Sequence, residues 1–254
     1  MDDRLASYEQ FEFREGEHAF EVFRKAPASG TAPAIVVMHE VPGVYPSVID
    51  FAERLVVEGY TVYLPSLVGT PGRAFSAPYV LSSLGRACIS REFHVLARGE
   101  SSPITDALRA LCRRAHADCG GVGVGAIGMC LTGNFALSLM VDDAVLAGVA
   151  SQPSMPFNGQ SDLHMSAEEV SQARAKLDDV GPMIALRFEG DKICQAEKFT
   201  ALAKAFNDDK ERIDLVTLPG KGHSVFTLDF VKGGELTENA LQSVFTYFDA
   251  QLKA

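Results

Sequence analysis

A cysteine, an aspartate and a histidine stand in the chain order of an elbow hydrolase. Cys130 lies in the segment GMCLTG at 128–133, between a predicted buried strand and a predicted helix. This is the context of a nucleophile elbow, a sharp turn that exposes its central side chain and needs small neighbours. Asp191 and His223 follow in glycine-rich stretches, each directly after another predicted strand. We predict a triad in which His223 takes the thiol proton and Asp191 orients the imidazole.

Two other interpretations of segment 128–133 stay open. Free cysteines are commonly buried as small hydrophobes, and a glycine-rich turn before a helix can cradle a phosphate. A G-x-G-x-x-G pattern does occur at 123–128, but it overlies the predicted strand, and no P-loop Lys-Ser/Thr pair follows it. The elbow is also irregular, because Thr132 stands two residues after the cysteine and the second glycine comes one position later.

A loop early in the chain is predicted to complete the site. The segment HEV at 39–41 follows the predicted strand Ala34–Met38, where an elbow hydrolase takes one of its oxyanion-hole amides. We therefore expect the backbone N–H groups of Val41 and Leu131 to face the developing oxyanion. The same loop begins like the helix of a zinc protease, but Gly43 stands where the second histidine would be, so no metal site is predicted.

The alternation of apolar and amphipathic runs predicts the scaffold that brings these loops together. The predicted strands are Ala34–Met38, Thr61–Leu64, Val122–Ile127, Val145–Ala150, Met183–Phe188 and Ile213–Leu218, and the predicted helices are Ser47–Glu58, Pro103–Ala117, Leu131–Val141, Ala167–Leu177, Ala196–Asn207 and Glu238–Leu252. This order indicates an α/β fold, with helices on both faces of a mostly parallel sheet and sites at the carboxyl ends of its strands. Residues 66–100 fit no period, so we predict an irregular excursion that forms a lid or pocket wall.

Length and composition restrict the class of protein. The chain has 254 residues, of which 47% are hydrophobic and 22% charged, and this predicts one globular domain over 1–254, although two domains fit the length as well. A net charge of −10 argues against nucleic acids and anionic membranes as partners. Five cysteines without a CxxC pair indicate neither a disulfide framework nor a zinc ribbon, and they favour a cytoplasmic location.

One uncharged segment, 119–141, is long enough to span a bilayer. Its glycines and polar side chains fit a buried strand, a tight turn and a buried helix better. The first twenty residues carry charges throughout, which argues against a secretory signal. We therefore expect segment 119–141 to form part of the core.

Together these motifs resemble those of the dienelactone hydrolase family, which are cysteine hydrolases of the α/β-hydrolase fold. The matching elements are His39-Glu40-x-x-Gly43, Gly59-Tyr60 leading to Leu64-Pro65, Gly128-x-Cys130-Leu131, Gly190-Asp191 and Gly222-His223-Ser224, from about Ala34 to the last helix. The resemblance implies cleavage of an enol-lactone of the carboxymethylenebutenolide type to give maleylacetate. It also implies that Glu40 lies buried beside the thiol and helps to generate the thiolate when substrate binds. The alternatives for Glu40 are a solvated loop acid and a partner for an arginine.

Two departures from the family pattern concern the turn and the substrate. The usual elbow is G-x-C-x-G-G, and this chain has Thr132 in place of the first paired glycine. Family members that bind the dienelactone carboxylate have an arginine shortly after the histidine, where this chain has Thr227 and Leu228. Arg91, in an Arg-Glu pair that resembles a carboxylate contact of the family, and Arg86 are the remaining candidates. Solvation or pairing with a neighbouring acid is the alternative for both arginines.

The sequence therefore predicts an α/β-hydrolase that cleaves an activated ester or enol-lactone through an acyl-thiol intermediate. No metal and no organic cofactor is implied. The expected partner is a small molecule, with or without a carboxylate, and the chain is expected to be a monomer or a small homo-oligomer. The alternative function is a thiol redox sensor or a small-molecule binding protein on the same fold, although no resolving cysteine is identified.

Overall fold

Eight strands form one mostly parallel sheet in the computed structural model, which describes residues 2–30, 32–89, 103–155 and 161–253. The strands are β1 (Glu9–Glu15), β2 (His18–Lys25), β3 (Ala34–Met38), β4 (Thr61–Ser66), β5 (Val124–Met129), β6 (Val145–Ser151), β7 (Met183–Phe188) and β8 (Ile213–Leu218). Their order is β1-β2-β4-β3-β5-β6-β7-β8, and β2 is antiparallel to both of its neighbours while the other pairs are parallel. The predicted α/β architecture is confirmed.

Helices cover both faces of this sheet. They are α1 (Pro46–Val57), α2 (Ala77–Ile89), α3 (Pro103–Cys119), α4 (Gly133–Leu139), α5 (Ala167–Val180), α6 (Ala196–Phe206), α7 (Phe230–Gly233) and α8 (Glu235–Leu252). Helices α3 to α6 enclose one apolar core, and α1, α7 and α8 enclose another on the opposite face. Strand β3 sends Val36 and Met38 into the first core and Ile35 and Val37 into the second. Burial on both faces explains why this strand is apolar throughout.

The uncharged segment 119–141 contains β5, a tight turn and α4. Strand β5 ends at Met129, two residues beyond the predicted end, so Cys130 follows the strand directly. Residues Cys130–Thr132 form a short 3-10 turn, and α4 therefore begins at Gly133 instead of Leu131. Within the described ranges, no helix is long and apolar enough to cross a bilayer.

Strands β1 and β2, helix α2 and the short helix α7 were not predicted. The hairpin of β1 and β2 lies at the sheet edge, where most of β1 is exposed and no continuous apolar run marks it. Helix α2 lies within residues 66–100, and the prediction that this part is irregular is wrong for Ala77–Ile89. Pro78 lies in the first turn, where its missing N–H costs nothing, and an interior glycine such as Gly85 weakens a helix without breaking it. Residues 90–100 lie outside the described part.

Candidate active site

The turn after β5 fixes the position of Cys130. Its φ of +57° lies in the left-handed region that non-glycine residues rarely adopt. A Cβ atom at Gly128 would lie 2.0 Å from the carbonyl oxygen of Thr132, so only glycine fits before the cysteine. The hydroxyl of Thr132 accepts the N–H of Met129 at 3.0 Å and lies 2.9 Å from the carbonyl oxygen of Met38. The departure from paired glycines thus ties the turn to the end of β3.

Asp191 and His223 meet at the carboxyl edge of the sheet. Asp191 follows β7, His223 follows β8, and Nδ1 of the imidazole lies 2.7 Å from Oδ2 of the carboxylate. The other carboxylate oxygen accepts the N–H groups of Ile193 at 2.8 Å and Cys194 at 3.0 Å. The carboxylate is fully buried, and its hydrogen bonds fix its orientation. Nδ1 of His223 is therefore engaged, and Nε2 is left for the cavity side of the ring.

Two opposing effects set the charge of His223. Burial lowers the pKa of the imidazole, but attraction to the Cys130 thiolate and the hydrogen bond to Asp191 outweigh it and raise the pKa to about 11. Nε2 makes no hydrogen bond of standard geometry within the described residues, so the interaction with Cys130 is mainly one of charge. A raised pKa favours an imidazolium beside a thiolate, the ion pair that activates a cysteine nucleophile.

Glu40 is buried in a network of neutral donors. The hydroxyls of Tyr45 and Thr227 donate to Oε1, while Oε2 accepts from the Ser224 hydroxyl at 2.8 Å and from the Gln152 amide at 3.2 Å. Glu40 is only 2% exposed, and no arginine or lysine of the described chain forms an ion pair with it. The alternative of a solvated acid is therefore wrong, and none of the arginines whose side chains are described is a partner of Glu40.

His39, directly before Glu40, joins two loops. Its Nδ1–H donates to the carbonyl oxygen of Glu40 at 2.8 Å, and its Nε2 accepts the N–H of Leu67 at 2.9 Å. Complete burial lowers the pKa of His39 to about 4. The imidazole is thus neutral, and it fixes the loop after β3 against the loop after β4.

A cavity of about 370 Å³ lies over Cys130, large enough for a small-molecule substrate. Glu40, Val41, Leu131 and His223 all border it. The backbone N–H groups of Val41 and Leu131 donate to no acceptor in the part of the chain that the structure describes. Every member of the predicted site with described coordinates is thus brought together, with Asp191 behind His223.

The arginine predictions stay untested. Arg91 lies outside the described residues, and only the backbone of Arg86 is described, in α2. Of the two residues that stand in place of the family's arginine, Thr227 donates to Glu40 and Leu228 borders the cavity. Among the described residues, no group of three or more His, Cys, Asp or Glu side chains is arranged to hold a metal ion.

Gln152 and Ser154, after β6, belong to the site but were not predicted. The Ser154 hydroxyl donates to the sulfur of Cys130 at 3.4 Å, and its N–H donates to the Cys130 carbonyl oxygen at 3.1 Å. Gln152 has a φ of +37° and reaches Glu40. Their position at the carboxyl end of a parallel strand was the available signal. Their residue types alone do not distinguish them from ordinary loop residues.

The comparison with family models decides the family. A model of the dienelactone hydrolase family matches residues 20–252. The chain belongs to the dienelactone hydrolase family. The resemblance that the motifs indicated is confirmed, and with it the assignment of the chain as a hydrolase. A search of curated proteins found no significant match.

Several solved structures share the fold of this dienelactone hydrolase family member. A dienelactone hydrolase-like promiscuous phosphotriesterase from metagenomic libraries has a TM-score of 0.69 and 17% identity over 96% of this chain and 98% of its own. A cold-adapted esterase from an Arctic intertidal metagenomic library has a TM-score of 0.61 and 14% identity, over 96% of this chain and 93% of its own. A serine hydrolase without a lid from Xanthomonas campestris has a TM-score of 0.58 and 14% identity, over 98% of this chain and 96% of its own. The TM-scores confirm the α/β-hydrolase fold, and at such low identities the structural similarity shows the fold alone.

Proposed function

We propose that the chain hydrolyses an activated ester or enol-lactone, with Cys130 as nucleophile, His223 as general acid and base, and Asp191 as the residue that orients His223. One observation carries the proposal. Cys130 stands at a φ of +57° on the wall of a cavity, beside an imidazole whose Nδ1 is held 2.7 Å from a buried carboxylate. Some structural neighbours are described as serine hydrolases, so the cysteine nucleophile is the distinctive part of the proposal.

In the first half of the reaction, the Cys130 thiolate forms a bond to the substrate's carbonyl carbon. The carbonyl oxygen becomes an oxyanion, and the N–H groups of Val41 and Leu131, on the same cavity wall, receive it. Collapse breaks the bond to the leaving oxygen, which takes the proton from Nε2 of His223. The product of this half is an acyl-thiol on Cys130, together with the released alcohol or enol.

In the second half, neutral His223 accepts a proton from water while the water oxygen bonds to the acyl carbon. The tetrahedral intermediate expels the Cys130 thiolate and releases the acid, which restores the imidazolium and thiolate. A stable enolate or phenolate leaving group suits the first half. The thiolate is itself a good leaving group, so the first intermediate would revert instead of expelling a poor alkoxide.

Glu40 is proposed to assist thiolate formation when substrate binds. Its carboxylate borders the same cavity as Cys130, and its hydrogen bonds all come from neutral groups. A cytoplasmic location is also proposed. The cysteines Cys112, Cys119, Cys130 and Cys194, whose side chains the structure describes, are free thiols, and a reducing compartment keeps them so.

Turnover of p-nitrophenyl acetate tests the nucleophile. We expect hydrolysis by the wild-type chain, with an acyl adduct on Cys130 detected by mass spectrometry. Cys130→Ala should lower kcat/KM at least about 10³-fold, because the variant lacks the attacking atom. Cys119→Ala is the matched control, since Cys119 is a free thiol at the end of α3, and its activity should stay unchanged.

Two results would contradict the proposal. Turnover that survives Cys130→Ala would remove the mechanism. If the chain hydrolysed none of the activated esters tested and peroxide oxidised Cys130 reversibly, the thiol sensor would be favoured.

A further inference from the structure

We propose that the cavity over Cys130 selects an uncharged ester with an apolar group, and that a carboxylate-bearing lactone or ester is a poor substrate. The inference rests on the proposed function and narrows its substrate class. It departs from the carboxylate-bearing substrate that the family resemblance implies. Both the apolar wall of the cavity and the signs of the charges beside it lead to this conclusion.

The apolar wall comes from three separate parts of the chain. Phe75, Val80 and Leu84 come from the segment that contains α2, Ile193 follows Asp191, and Leu228 follows His223. Val80 and Leu84 are one helical turn apart and therefore share a face of α2. Phe75 and Ile193 are 44% and 40% exposed at the cavity, so the rim holds apolar surface that the protein itself does not cover. An apolar substrate group would remove this surface from water.

Apart from His223, the charged side chains that border the cavity in the described chain are acidic. Glu40 and Asp229 both border it, and no arginine or lysine of the described chain does. The Oδ2 atom of Asp229 accepts the N–H groups of His223 at 2.9 Å and Ser224 at 3.2 Å. The side chain of Lys232 is 81% exposed and lies 3.4 Å from the other carboxylate oxygen. A substrate carboxylate would therefore enter beside two acids.

Among the described residues, the one cation on the wall is already paired. The His223 imidazolium is bound to Asp191 and attracted by the Cys130 thiolate. Leu228, five residues after His223, offers the cavity only apolar surface. A carboxylate moved from water to such a wall loses hydration without gaining a partner. An apolar group gives up no hydrogen bonds to water when it enters the cavity. Each methylene added to the substrate should therefore raise kcat/KM roughly threefold, as long as the substrate still fits the cavity.

The test compares esters that differ in charge and share a leaving group. We expect kcat/KM for p-nitrophenyl pentanoate to exceed that for mono-p-nitrophenyl glutarate at least tenfold, and to exceed that for p-nitrophenyl acetate as well. Phe75→Arg places a cation on the rim and should shift the ratio of the two longer esters at least tenfold towards the glutarate. Leu81→Arg is the matched control, because Leu81 is 74% exposed on α2 and does not border the cavity, and its ratio should stay at the wild-type value.

Equal or higher turnover of the glutarate ester by the wild-type chain would overturn the inference. If Arg91→Ala then removed that turnover, Arg91 would be the carboxylate contact. A failure of the proposed function looks different, because no ester would then be hydrolysed and no acyl adduct would form. Calorimetric binding of the same two esters to Cys130→Ala keeps the inference testable in that case. Tighter binding of the glutarate ester would overturn it there too.

Discussion

His39 and His223 occupy similar places and acquire opposite properties. Each follows a parallel strand at the carboxyl edge of the sheet, and each is largely or fully buried. Burial lowers the pKa of His39 to about 4, whereas the pKa of His223 is raised to about 11. The difference lies in the partners, because His39 forms hydrogen bonds with neutral backbone groups, whereas His223 is bound to the Asp191 carboxylate and attracted by the charge of Cys130. Burial alone therefore makes a histidine structural, and neighbouring charges make it reactive.

Asp191→Asn should break this comparison most strongly. The amide keeps the shape of the side chain but removes the charge that fixes the tautomer and stabilises the imidazolium of His223. We expect kcat/KM for an activated ester to fall about 10³- to 10⁴-fold and the pKa of His223 to fall as well. NMR titration of the imidazoles measures the second effect, with His39 as the internal control. An unchanged His223 titration would show that Asp191 does not support its charge.

Glu40→Gln tests whether Glu40, the neighbour of His39 in the loop after β3, takes part in the reaction of Cys130. If Glu40 helps to generate the thiolate when substrate binds, kcat/KM should fall about 10- to 100-fold. Alkylation of resting Cys130 by iodoacetamide should not slow down, because this reaction takes place without substrate. If Glu40 only joins loops through its hydrogen bonds, the amide oxygen can still accept from the Tyr45 and Thr227 hydroxyls, and turnover should stay within about threefold.

The turn and the triad could be predicted because their causes are local or topological. Gly128 is required by the path of the chain within four residues of itself, so the sequence carries the signal directly. Asp191 and His223 each follow a predicted strand, and parallel strands bring such positions to one edge of the sheet. Chain order together with strand position therefore sufficed to assemble the three residues.

The surroundings of the triad could not be predicted, because their contacts join distant segments. Glu40 draws its donors from Tyr45, Gln152, Ser224 and Thr227, which lie on three different loops. No sequence pattern around these residues indicates a hydrogen bond to Glu40. For residues 66–100 the sequence predicts a lid or pocket wall, but it does not predict the helix that carries Val80 and Leu84 to the cavity, because Pro78 and Gly85 indicate an irregular segment.

The pH dependence of stability should separate the two histidines without any assay of activity. The folded-state pKa of His39 is below the ordinary value of 6.5, so its contribution to stability is present above pH 6.5 and is lost as the pH falls through about 4. The folded-state pKa of His223 is above 6.5, so its contribution is present below pH 6.5 and is lost as the pH rises through about 11. Urea unfolding of the wild type, His39→Gln and His223→Gln across this range measures both effects. We expect His39→Gln to reduce the loss of unfolding free energy at acid pH by about 1 to 3 kcal/mol. His223→Gln should reduce only the loss of unfolding free energy at alkaline pH. Identical limbs in both variants would mean that the two environments do not differ as their contacts indicate.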